Sequence, residues 1–243
     1  MIRYFIELSY DGAAYCGWQK QPGSPSVQQT LEECLGLLAV RPVEITGCGR
    51  TDTGVSATVF YAHFDTEKYF EPKDALLRLN RMLPGDIAIR RMFQCGLHSR
   101  FDAYQREYKY YIAKEKDPFD THCWTISRHL DLPKMQSAAV SLMDYSDFTS
   151  FAKLHGNAKT NICTLYYANW EDIGERIVFT ISANRFLRGM VRAIVGTLVD
   201  VGLGKISLER FSEIVKAKDR SLASMQAPAC GLFLTDVRYP GIG

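Results

Sequence analysis

Apolar residues recur at every second position at the start of the chain: Ile2, Tyr4, Ile6, Leu8 and Tyr10, with Arg3, Glu7 and Ser9 between them. Side chains on a strand point to alternate faces, so this spacing predicts a strand with one face buried. Asp11-Gly12 ends it. The period then lengthens, and Val27, Leu31, Cys34, Leu35 and Leu38 fall on one face of a helix. Ser26, with Gln29 three residues on, predicts a capping box at its start. Strand patterns follow at Val43 to Thr46 and at Thr58 to Phe64. A second helix runs from Pro72 through Ala75, Leu76, Leu79, Met82 and Leu83, stopping at Pro84-Gly85. Ile87 to Ile89 resumes a strand. The order β-α-β-β-α-β is the split pattern of ferredoxin-like sheets.

The second half partly repeats that order. Arg106 to Ala113 is strand-like and rich in tyrosine, and Pro133 to Met143 reads as a helix. Ile162 to Trp170 and Ile177 to Ser182 read as strands. Phe186 to Val201 is a strongly apolar helix, Ser207 to Ala217 another, and Leu232 to Val237 a last strand. The expected class is α+β: two ferredoxin-like halves forming a largely antiparallel central sheet flanked by helices, with a cleft between them. The expected division is 1–103, carrying an aspartate loop, and 104–243, carrying a tyrosine strand and an arginine helix.

Composition narrows the field. The 243 residues are 47% hydrophobic and 23% charged, as in an ordinary soluble globule. A net charge of +2 does not mark a nucleic-acid binder, so an anionic partner requires basic residues gathered on one face. No apolar run approaches the roughly 18 residues of a membrane span. The N-terminus opens directly in a strand pattern, which predicts no signal peptide. The seven cysteines are scattered without a CxxC pair, and the histidines form no HxH or HExxH. That argues against a zinc site or a redox dithiol and predicts a reducing, cytoplasmic compartment.

The candidate chemistry centres on Gly47-Cys48-Gly49-Arg50-Thr51-Asp52-Thr53-Gly54-Val55-Ser56-Ala57. Its glycines permit close backbone approach to a ligand, and between them stand a carboxylate, a guanidinium and hydroxyls. Asp-Thr-Gly is also good turn chemistry, so an ordinary turn is the competing reading. The glycine spacing fails as a P-loop, for want of the lysine, and as a dinucleotide loop, because Asp52 replaces the third glycine. Tyr15 to Gly23 is aromatic and polar, either a second ligand-facing loop or a loop pinned by a packed Trp18. In the second half, Arg188 and Arg192 share a face of the apolar helix. Arg192 is costly to bury unpaired; a solvated stripe is the plain alternative. Tyr108 can stack on a base or simply pack in its strand. Arg100, Arg106 and Lys109 interleave cations with aromatics, which suits a polyanion with stacked bases or a plain sheet edge.

Taken together these residues resemble the TruA family of tRNA pseudouridine synthases. The central string resembles the family's G-R-T-D-x-G-V-x-A, and Tyr10-Asp11-Gly12 with Gly17-Trp18-Gln19 its N-terminal loop. His98 to Ala103 and Arg106-x-Tyr108-x-Tyr110 resemble its middle segment. Asp147 to Phe151, Met190-Val191-Arg192, Ala217 to Arg220 and Gly231 to Leu234 resemble its C-terminal motifs. The resemblance implies Asp52 as the catalytic aspartate, Tyr108 as the tyrosine stacked on the target uracil and Arg192 as the arginine paired with the aspartate. Arg50, Arg100, Arg106 and Leu234 are then substrate-binding. It further implies isomerisation of uridines at positions 38–40 of the tRNA anticodon stem-loop, no cofactor, no catalytic metal and a homodimer. Thr53, Ser56 and Arg188-Gly189 depart from residues that family members often carry. Two other readings are a non-catalytic RNA-binding protein of the same fold and a dimeric aspartic protease using Asp52-Thr53-Gly54. The latter lacks a second D-T-G within the chain.

Overall fold

The computed structural model describes residues 1–153 and 159–242. The chain divides into two compact units, one made of Met1–Tyr104 with the segment from Phe233 onward, the other of Gln105–Leu232. The class is the expected α+β, with largely antiparallel strands flanked by helices.

The first unit runs β1 (Ile2–Tyr10), α1 (Val27–Ala39), β2 (Ile45–Gly47), β3 (Ser56–Thr66), α2 (Pro72–Met82) and β4 (Ile87–Gln94), in the order the periodicity predicts. β1 lies between β3 and β4 and is antiparallel to both, while β2 pairs antiparallel with β3. This is the split-βαβ arrangement. Tyr4, Ile6, Leu8 and Tyr10 are buried as their alternation requires, but so is Phe5 on the opposite face. There Tyr239 packs edge-on to Phe5 and Tyr61, at 5.3 and 5.2 Å between ring centroids. At the start of α1, Ser26 accepts a hydrogen bond from the Gln29 backbone at 3.2 Å. The Gln29 side chain turns forward to Glu33 instead of back to Ser26, so only half of the expected capping box is made.

The final strand, Leu232–Arg238, lies parallel beside the start of β3, with Ser56 opposite Phe233 and Ala57 opposite Leu234. It therefore groups with the first unit, although its position in sequence had placed it with residues 104–243.

The second unit contains β5 (Gln105–Ala113), β6 (Trp124–Thr125), α3 (Leu132–Ser141), β7 (Leu165–Asp172), β8 (Arg176–Ala183), α4 (Met190–Gly202) and α5 (Leu208–Ala217). The final strand is then β9. β8 lies between β5 and β7 and is antiparallel to both, and β6 pairs in parallel with β5. The three long strands, with β8 in the middle, stand to one another as β3, β1 and β4 do in the first unit. α4 is buried almost all round and packs on α3 and α5. It starts four residues later than its apolar pattern predicts. Gly189, at φ +70°, is its N-cap, and a left-handed residue ends the helical path there. Arg188 therefore precedes the helix and does not share a helical face with Arg192. No described helix is long and apolar enough to cross a membrane. All seven cysteines are free thiols.

Candidate active site

Asp52 sits half-buried in the connection between β2 and β3. Its carbonyl accepts the Val55 amide at 3.1 Å, closing a tight turn through Gly54 at φ +77°. A loop has no ladder to satisfy its backbone, so its partners must come from side chains or from another loop. Here they come from the segment after β1. The Thr51 hydroxyl lies 2.9 Å from the Tyr10 hydroxyl and accepts the Trp18 amide at 3.1 Å. The Ser56 hydroxyl accepts the Gly12 amide at 3.0 Å and donates to Asp11 at 3.4 Å. The Gly54 amide donates to the Tyr15 carbonyl at 3.2 Å. Asp52 is thus bracketed by two hydroxyl residues that are both tied to residues 10–18.

Gly17 makes this contact possible. It has φ +84°, and a Cβ there would fall 2.2 Å from the Thr51 carbonyl oxygen. Trp18 is buried and stacked on Phe60 at 4.2 Å. Of the two readings of this loop, the pinned one holds for Trp18, and what the pinned loop does is brace the aspartate turn. The sequence carried a signal for this in the hydroxyls at 51 and 56, which flank the acid. Ser56, a departure from the family pattern, is one of them. Tyr15 completes the brace by donating to Asp86 at 2.8 Å; burial, then that bond, pushes its hydroxyl up to about 12, so it stays a donor.

The other residues of interest in the first unit are less alike. Arg50 and Arg100 are exposed, with the Arg100 guanidinium 5.7 Å over the Phe101 ring. Leu234 is buried in β9, and its carbonyl accepts from Thr58 at 3.5 Å, so its side chain belongs to the core.

In the second unit, Tyr108 stands half-buried on β5 opposite Ile181, its ring edge-on to Phe186 at 5.2 Å. Arg106, two positions back, donates to the Asn184 carbonyl at 3.0 Å. Arg192 is half-buried on α4, and its Nε donates to the Ala227 carbonyl at 2.7 Å. The Ala227 amide donates back to the Arg192 carbonyl at 2.9 Å. This reciprocal pair belongs to a strap, residues 224–228, laid along α4. The Ser224 amide donates to Thr197 at 3.2 Å, and the buried Tyr110 hydroxyl donates to the Pro228 carbonyl at 2.9 Å. Gly196 admits the strap, since a Cβ there would meet the Met225 carbonyl oxygen at 2.0 Å. A solvated stripe does not describe Arg192, whose side chain is held by a backbone carbonyl. Sequence reading missed the strap. Its only local hint was Gly196, one turn beyond Arg192. Among the described residues, no three His, Cys, Asp or Glu side chains converge as a metal site would need.

The comparisons set the class first. Residues 138–240 match the family described as tRNA pseudouridine synthase, enzymes that convert uridine to pseudouridine. Proteins named tRNA pseudouridine synthase A are similar along nearly the whole length. That of Parabacteroides distasonis is 48% identical over 247 residues, covering 99% of this chain and 97% of the relative. That of Azobacteroides pseudotrichonymphae is 45% identical over 243 residues, covering 99% and 98%. That of Bacillus subtilis is 37% identical over 245 residues, covering 98% and 99%. At such identity over such lengths, the chain belongs to the tRNA pseudouridine synthase A family.

Proposed function

We propose that this chain isomerises uridine to pseudouridine at positions 38–40 of the tRNA anticodon stem-loop, with Asp52 as the nucleophile. The observation that supports this most is the braced turn itself: an acid between two anchored hydroxyl residues, in a chain of this family. A stacked uridine is out of reach, so the target flips out, at a cost of a few kcal/mol. Stacking on Tyr108 offsets part of that, roughly 1–3 kcal/mol. Asp52 attacks at ribose C1′ or uracil C6. The bond from N1 to C1′ breaks, the uracil turns, and a bond from C5 to C1′ forms; the bond to Asp52 breaks, returning the carboxylate, C5 loses its proton and N1 gains one. Arg192 pairs with Asp52 and orients it. Arg50, Arg100 and Arg106 meet backbone phosphates. Leu234, whose side chain lies in the core, backs the site from beneath and contributes no charge. The chain works without cofactor or metal, as a homodimer, in the cytoplasm, where its substrate is.

The test is incubation of the purified protein with an unmodified tRNA transcript, read for pseudouridine at each position. A transcript recovered unchanged sinks the proposal. Light scattering of the same sample checks the dimer.

A further inference from the structure

Phe101 is 74% exposed, on the loop between β4 and β5. A single exposed apolar side chain is ordinary. This one is the outer end of a column of rings. Phe101 lies 4.4 Å from His98 at an interplanar angle of 32°, His98 lies 4.7 Å from His63, and His63 lies parallel to the fully buried Phe5 at 6.1 Å. The loop beneath is closed on itself. His98 Nδ1 accepts the amides of Arg100 and Phe101 at 3.2 and 3.4 Å, while the His98 amide donates to Asp102 at 2.6 Å. Between them, Ser99 is buried and its carbonyl accepts the Tyr239 hydroxyl at 2.6 Å. The backbone that carries this exposed ring is thereby fixed before any ligand arrives, so less ordering entropy is lost on binding. Beside it stands the exposed Arg100 guanidinium, 5.7 Å from the ring centroid.

From this geometry we propose that Phe101 is a stacking platform for an unpaired base of the bound tRNA, with Arg100 holding the phosphate of the same nucleotide. The proposal rests on tRNA being the substrate. An aromatic face on a fastened loop, with a cation at its edge, matches a nucleotide, which presents a π surface and a negative charge about one side-chain length apart. The stacking is sequence-tolerant, since every base has such a face.

The experiment measures affinity of the full-length protein for unmodified tRNA across a salt series, for wild type, Phe101→Leu and Phe101→Trp, with melting temperature and solution mass recorded for each. Phe101→Leu keeps an apolar side chain but removes the ring. It is expected to weaken binding about 10- to 100-fold, the loss of one base stack, with melting temperature and salt slope unchanged because no charge is lost. Phe101→Trp is expected to bind at least as well as wild type. Leucine binding as tightly as phenylalanine would overturn the platform, and so would a lowered solution mass for Phe101→Leu, which would make this face a contact with a second copy. Failure of wild type to bind tRNA would overturn the substrate reading together with it. Normal wild-type turnover with an unaffected leucine variant would remove the platform alone.

Discussion

The two units hold their chosen side chains by opposite means. In the first, Asp52 lies in a loop fastened through the hydroxyls of Thr51 and Ser56 to residues 10–18. In the second, Arg192 rides a helix whose backbone satisfies itself, and only the side chain needs placing. One carbonyl, Ala227, does that from a strap that Gly196 lets in. The loop's position is thus the sum of several side-chain bonds, whereas the helix position is given and the strap adds orientation. The aspartate turn should fail when a hydroxyl is lost or a methyl intrudes, and the arginine should fail when its strap lifts.

The largest contrast is in activity. Asp52→Asn is expected to form no detectable pseudouridine while tRNA affinity and melting temperature stay at wild-type values. Arg192→Leu is expected to lose turnover and, because the Ala227 carbonyl loses its donor, about 1–3 kcal/mol of stability as well. Measured turnover by Asp52→Asn would remove it as nucleophile, and an inactive Arg192→Leu of unchanged stability would show that the strap does not depend on it.

Next comes a matched pair of added methyls. Gly17→Ala and Gly196→Ala each push a Cβ to about 2 Å from a carbonyl oxygen. Gly17 also holds φ +84°, so its variant carries backbone strain on top of the clash, roughly 2–4 kcal/mol in all. Gly196 lies within a helix, where alanine regains up to about 1 kcal/mol of propensity, which makes the loss smaller. Urea unfolding ranks them, and the reverse order would contradict the division between braced loop and strapped helix.

Smaller again is Thr51→Val. It removes the Thr51 hydroxyl from the Trp18 amide and the Tyr10 hydroxyl, roughly 1–3 kcal/mol, and should lower kcat with little change in tRNA affinity. Thr51→Ser should restore both. A valine variant with wild-type kcat would mean the brace does not position the acid.

The effect that is smallest at neutral pH, and emerges only in acid, belongs to His63. Burial, with Arg3 and His98 nearby, lowers His63 to about 4, against about 6.5 in an unfolded chain. Between those values the unfolded state binds more protons, so stability is fully present above about pH 6.5 and is lost as pH falls towards 4. The slope is at most about 1.4 kcal/mol per pH unit for one proton. His63→Gln should flatten it in that window alone, and an unchanged stability profile would assign the acid sensitivity to other groups.

The fold was legible wherever the signal was local. Alternation in β1, the helical faces of α1 and α2, and the Ser26 cap all rest on residues a few positions apart. The same locality explains the misses. Gln29 has Glu33 one turn ahead as a competing partner, so a capping box readable in four residues was only half made. Apolar periodicity carried α4 back to Phe186 because it registers burial, and Phe186, Leu187 and Arg188 precede a left-handed glycine it cannot register. For the candidate site, the string around Asp52 stood out by its residue types, but the role of residues 10–18 did not.

Composition and short-range periodicity were enough to set the class, the order of elements and the residues with chemistry to offer, because each of these depends on a window of chain no longer than a helix. The brace on the aspartate turn, the strap on Arg192 and the seat of β9 against β3 were decided only by tertiary structure. Tyr10 meets Thr51 across 41 positions, Ala227 meets Arg192 across 35, and Phe233 faces Ser56 from near the far end of the chain. Contacts of that reach are selected by packing and by the demand that every buried polar group find a partner, and no local pattern records which partner it will be.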